Sequence, residues 1–280
     1  MLRSRRSEKM VGRVLLLALA GPLLLAFLVI AGCAHARPGG WSQGGRFKSS
    51  ADYLNMALEA ECADDRREGV IGLARSRDAA ADWAVKVFDT IARTDTDAMV
   101  RCEAVKALGV SAGPQHVPTL LKLLGSSAGG VAQPPSAVAH GVRAAPGRVR
   151  WEAAKLLKNI VETQGVEESQ REEMTRTLLD RLAKDDERNA RLMVIETLAY
   201  VRQRPVVVAL IDALETDDYA IKHAAERSLV LLTGASHNHD TEAWRQWLAQ
   251  TDDPCKDAGA VSPDTVEVKK KRWWEHGWDW

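Results

Sequence analysis

Apolar residues in the stretch 97–109 recur at i, i+4, i+7 and i+8: Val100, Ala104, Ala107 and Leu108 fall on one face of a helix. Asp97 stands where an N-cap oxygen accepts free amide hydrogens, and Gly109 follows the last apolar residue, where a left-handed C′ position favours glycine. The apolar face is built largely from small residues, so another helix can approach it closely. The phrase returns in Val149-Arg150-Trp151-Glu152-Ala153-Ala154-Lys155-Leu156-Leu157. Looser copies start at Ala190 and Ile221, and the weakest at Arg66. Successive starts at 66, 100, 149, 190 and 221 are 34, 49, 41 and 31 residues apart, a spacing that suits stacked helix pairs, two of them lengthened by loops.

The same pattern predicts the elements in order. A lone helix over 52–61 opens the stack. Pairs follow at 66–76 with 82–92, 97–108 with 115–124, 148–161 with 167–183, 187–202 with 205–214, and 218–232 with 240–249. Trp83, Val87 and Ile91 share one face; so do Val117, Leu120, Leu121 and Leu124, and also Met174, Leu178, Leu179 and Leu182. The expected fold is all-α, a right-handed superhelix of about five helix pairs over residues 51–250. Stacking should bury Val100, Ala104, Leu108, Val149, Ala153, Leu156, Leu198, Ala225 and Leu229. Residues 125–148 hold five Gly, three Pro and no acid in 24 positions, and read as an insertion outside the packing.

Residues 97–109 match Asp-x-x-Val-Arg-x-x-Ala-x-x-Ala-Leu-Gly throughout. This resembles the short bacterial HEAT-type repeats called PBS-lyase-like, over roughly residues 51–250, and implies an armadillo-like α-solenoid. Leu232-Thr233-Gly234, then Asp240 and Ala243-Trp244-Arg245-Gln246-Trp247, is similar to the closing end of many such proteins, where the tryptophans cover the last repeat. The resemblance also implies a polar ladder between neighbouring repeats, here Asp97 with Arg101, Asp186 with Arg191 and Asp218 with Lys222. Arg150 belongs to the same series but has no nearby preceding acid.

The chain opens with five basic residues and one acid in 1–13, then runs uncharged for 19 residues through Gly32. That is the layout of a secretory signal. Ile30-Ala31-Gly32-Cys33 resembles a bacterial lipobox, which implies cleavage before Cys33 and its lipidation. An uncleaved membrane anchor is the other reading of 19 apolar positions. Ala34, where an Asp retains such lipoproteins in the inner membrane, implies by the same resemblance an envelope protein of the outer membrane facing the periplasm. Residues 34–50 read as a flexible spacer. Residues 251–280 read as a flexible tail carrying Lys269, Lys270, Lys271 and Arg272, then Trp273, Trp274, Trp278 and Trp280. Basic and tryptophan side chains together suit a second contact with the membrane, a groove of a partner protein, or a fold back on the repeats.

Charge and chemistry narrow the function. The chain carries 38 basic and 38 acidic residues; setting aside 1–33, with five and one, leaves 33 and 37, a net −4. A mildly acidic body neutralises phosphates poorly, so no nucleic-acid partner is expected. Beyond Cys33 the cysteines stand at 62, 102 and 255, too far apart for a local metal pattern, and a disulfide between two of them is open. His237-Asn238-His239-Asp240 is the nearest approach to a metal site, but loop neighbours rarely complete a shell and Asp240 serves better as an N-cap. No metal, cofactor or catalytic residue is expected. The reading is a lipid-anchored scaffold that binds another protein along its concave face. The alternative is an envelope enzyme or cofactor carrier, bilin-lyase-like or metal-binding, with an unrecognised site.

Overall fold

The computed structural model describes residues 48–126 and 144–261. Among them are eleven α-helices: α1 (Ser50–Glu59), α2 (Ala63–Ala74), α3 (Asp82–Thr94), α4 (Ala98–Leu108), α5 (Val117–Gly125), α6 (Gly147–Thr163), α7 (Glu168–Lys184), α8 (Arg188–Leu198), α9 (Arg204–Asp212), α10 (Tyr219–Thr233) and α11 (Thr241–Ala249). Short 3₁₀ turns follow α4 and α9, and another precedes α5. The protein is thus all-helical in this region. None of the described helices is long and apolar enough to cross a membrane.

Side-chain caps set five of the eleven helix starts. Asp97 accepts the amide hydrogens of Met99 and Val100, Asp218 those of Ala220 and Ile221, and Asp240 that of Ala243. Ser49 and Asp52 form a reciprocal capping box on α1. α10 stops at Gly234, which takes the left-handed conformation at φ 71° that a side chain would resist. Gly109 differs from the expected left-handed stop. Its φ is −64°, and the chain tightens there into a 3₁₀ turn through Ser111.

The helices pack in two series. α2, α4, α6, α8 and α10 contact one another in succession, and α3, α5, α7, α9 and α11 do likewise. Each odd-numbered helix up to α9 also packs on the even-numbered helix that follows it. The opening helix is therefore not alone: α1 lies on α2 so closely that a Cβ at Gly69 would fall 2.4 Å from the Ala57 backbone nitrogen. One continuous hydrophobic core runs from Ala57 to Leu248. Val100, Ala104, Leu108, Val149, Ala153, Leu198, Ala225 and Leu229 are all buried in it, as the pattern predicts. Leu156 is only half-buried, because Leu157 takes the inward position.

Other faces turn by a residue from their expected setting. On α3 the buried positions are Ala84, Phe88, Ile91 and Ala92, while Trp83 is exposed: Phe88 offers the larger apolar surface one position from Val87. On α7 Met174 and Leu178 are buried but Leu179 and Leu182 only partly so. The edges of the 125–148 insertion also belong to the packing. The Ala145 amide donates to the Ser126 carbonyl at 2.8 Å, closing the base of the loop, and Ala145 lies in the core. Beyond α11, Pro254 is buried and the Gly259 amide donates to the Leu231 carbonyl at 2.8 Å, so the start of the expected tail docks on α10. Arg204 holds this end together, donating to the Leu248 and Thr251 carbonyls at 2.8 Å each.

Candidate functional site

A repeated polar rung joins each even-numbered helix to the loop before the next. Arg66, in the first turns of α2, donates from Nε and Nη2 to the two oxygens of Asp95 at 2.9 and 3.0 Å. Arg150 of α6 does the same to Asp185 at 2.8 and 2.6 Å, reaches Asp186, and adds a 2.7 Å bond to the Ala145 carbonyl. Asp95 and Asp185 each stand two residues before a helix N-cap, Asp97 and Glu187, and accept that residue's amide hydrogen as well. The same place before α6 holds Ala144, whose carbonyl accepts from Arg101 at 2.9 Å. Before α10 it holds Thr216, and the arginine there, Arg188, pairs with the N-cap Asp218 itself.

These pairings differ from those drawn on the sequence. Asp97 caps its own helix instead of holding Arg101, and Asp218 holds Arg188, neither Arg191 nor Lys222 taking part. Asp186 is an exposed second partner of Arg150. Arg150, without an acid before it, has the most buried rung, and its acid comes 35 residues after it. Burial alone would lower the pKa of its guanidinium, but the hydrogen bonds and charges of Asp185 and Asp186 together raise it. The missed signal is an acid two residues before a helix cap, as in Asp95-Thr96-Asp97 and Asp185-Asp186-Glu187. Cys33, Lys269, Lys270, Lys271, Arg272, Trp273, Trp274, Trp278 and Trp280 lie outside the described residues.

A groove of about 610 Å³ opens over α6, α8 and α10. One wall carries Lys158 and Glu162, the other Tyr219, His223 and Arg227, with Glu196 and Tyr200 between them. The Tyr200 hydroxyl donates to Glu162 at 2.7 Å, and Lys158 pairs with the same carboxylate at 3.0 Å. Burial, then the bond to Glu162, pushes the Tyr200 phenol up to about 12; that bond and Lys158 hold the Glu162 carboxyl below its usual range. Tyr219 stands 70% exposed at the rim. Aromatic faces beside paired charges of both signs suit a polypeptide segment.

The groove does not assemble a nucleophile with a base. Its Ser228 hydroxyl donates to the Ile195 carbonyl at 3.1 Å. Elsewhere His116 Nε2 lies 3.2 Å from the Ser111 hydroxyl, but also 3.1 Å from the Ser111 carbonyl, which can only accept. The Gln115 side-chain amide nitrogen lies 3.4 Å from the same ring nitrogen, so a hydroxyl, an acceptor and a donor all face it. Cys62, Cys102 and Cys255 are free thiols, and burial, then Glu152, pushes the Cys102 thiol up to about 11. Among the described residues no three of His, Cys, Asp and Glu gather so as to hold a metal ion.

A buried carboxylate on α10 organises the loop between α10 and α11. Glu226, only 6% exposed, accepts the amide hydrogens of His237, Asn238 and His239, the Ser236 hydroxyl and the Trp244 indole, at 2.8–3.2 Å. Asn238 and His239 are held at φ 53° and 66°. His237 and Trp244 form a T-shaped pair with centroids 4.7 Å apart, while the His239 ring lies 6.0 Å from His223. Trp244 is fully buried and closes the core with Leu248, as a terminal cap does. The role of Glu226 was not read from sequence, where it is one acid among many on helix faces. No family model matches this chain, and no curated protein matches it.

Proposed function

We propose that the protein is a lipid-anchored scaffold of a bacterial envelope, facing the periplasm, that binds another protein along the groove over α6, α8 and α10. The observation that carries this reading is the groove itself: an open surface of mixed charge and aromatic faces, on a regular helical stack, without a nucleophile–base pair. The succession of even-numbered contacts and the repeated rung support a right-handed solenoid of about five HEAT-like helix pairs, its even-numbered helices inside. Such stacks present a long concave face to partners. The anchor rests on the lipobox-like sequence at Cys33.

A photo-crosslinking residue at Tyr219 should yield a discrete adduct with one envelope protein. The same residue at Val208, exposed on α9 of the other series, should not. Equal adducts from both positions, or none from Tyr219, would remove the groove as the binding face. Cys33→Ala should leave an uncleaved precursor, and the native protein should partition into detergent. Two or more acyl chains hold a protein stably on a bilayer where one holds it only marginally. Recovery of unmodified native protein in the soluble fraction would reject the anchor.

A further inference from the structure

We propose that, in the protein without a partner, the groove over α6, α8 and α10 is covered by the chain's own basic and tryptophan-rich segment, residues 269–280. A partner then has to displace that segment to bind. The inference rests on the preceding reading only in taking the groove as a binding surface.

The described chain is delivered to one end of that groove. α10 lines it from Tyr219 to Leu231. Beyond α11 the chain returns to the Leu231 end: the Gly259 amide donates to the Leu231 carbonyl at 2.8 Å. Gly234, three residues on, lies so close to Asp257 that a Cβ there would fall 2.8 Å from its carbonyl oxygen. The described residues stop at 261. From 261 to 269 an extended chain reaches at most about 26–29 Å, at about 3.3–3.6 Å per residue. The α10 wall from Leu231 back to Tyr219 is about 18 Å long, twelve residues at about 1.5 Å each. Lys269 is therefore within reach of any point along the groove, and so are the tryptophans after it.

The lining complements the segment in charge and in shape. On the α6 and α8 side Lys158 is shared by two carboxylates, Glu162 at 3.0 Å and Glu196 at 3.8 Å, so this wall keeps one negative charge in excess. Both carboxylates are also more exposed than the lysine between them. Lys269, Lys270, Lys271 and Arg272 are four consecutive cations, which such a wall attracts. Trp273 and Trp274 follow them directly. On the α10 side Tyr219 offers an exposed ring and Arg227 a guanidinium, the two kinds of surface on which indole rings stack. Leu192, Ala199 and Ala224 add apolar lining for them. Tryptophan and arginine are the residues that most often anchor an interface when seated in a pocket.

The test places a photo-crosslinking residue at Tyr219 in the full chain, purified in nonionic detergent and irradiated at high dilution. Peptide mapping should show position 219 joined to a fragment within 269–280, at the mass of a single chain. The same residue at Val208 should give no such adduct. Lys269→Glu, Lys270→Glu, Lys271→Glu and Arg272→Glu together should lower the adduct at least about tenfold, because like charges set against each other are costly at an interface. Circular dichroism of that variant should match the parent. An adduct undiminished in the variant, one joining two chains, or one to another part of the chain overturns the assignment. So does no adduct at all, the result expected if the segment lies on detergent or lipid instead. An envelope-protein adduct in cells without the intrachain adduct in the purified protein removes this inference alone. The opposite pair of results keeps it and removes the partner reading.

Discussion

Replacing Arg150 with alanine should destabilise the protein by about 3–5 kcal/mol, the usual cost of leaving a buried charge without its partner. The Asp185 carboxylate is fully buried, with the Glu187 amide as its remaining hydrogen-bond donor once the guanidinium is gone. The Ala145 carbonyl, at the base of the loop that closes on α6, loses its 2.7 Å donor in the same step. Urea denaturation followed by circular dichroism measures the loss. A change below about 1 kcal/mol, the range of an exposed ion pair, would show that the rung is solvated. Replacing Arg150 and Asp185 together by apolar residues of similar size should cost less than Arg150→Ala alone, since neither charge is then stranded.

The Arg188–Asp218 rung is more exposed, and its loss should be much milder. Its pH dependence has a definite sign. Arg188, with help from the Ile221 and Ala220 amides, holds the Asp218 carboxyl down to about 2. An unfolded aspartate titrates near 3.9, so the contribution is complete above that pH and is lost as the pH falls toward 2.

Leu108→Ala should cost about 2–5 kcal/mol, the range for truncating a buried leucine. Leu108 is fully buried at the end of α4, in the core shared with the helices before and after it. The control is Leu58→Ala, at a position 52% exposed on α1, which should shift stability by less than about 0.5 kcal/mol. A change at Leu108 as small as that at Leu58 would mean that the helix phase is misread.

Helix positions were legible where a start carries its own capping chemistry. Asp97, Asp218 and Asp240 cap the helices that follow them, and periodicity marks Val100, Ala104 and Leu108 as inward whatever they pack against. Such signals lie within a few residues of what they determine. Where two apolar residues compete for one inward place, the pattern alone does not choose. Leu157 and Phe88 are buried where Leu156 and Val87 also qualified, and the neighbouring helix made the selection.

Long-range partners were not legible for the same reason. The sequence suggested that Arg150 takes part in a rung, but looked for its acid nearby, whereas Asp185 reaches it across a whole helix pair. Only stacking decides which loop stands beside which arginine. Arg101 donates to the Ala144 carbonyl, where the other rungs offer the carboxylates of Asp95 and Asp185. His223 and His239, 16 residues apart in the chain, become neighbours because the loop wraps the Glu226 carboxylate. Local sequence thus determined where the capped helices begin and, to within a residue, which way their apolar faces turn. Tertiary packing decided which charges meet, which histidines meet and where a groove remains open, because those depend on distances between segments that no short stretch encodes.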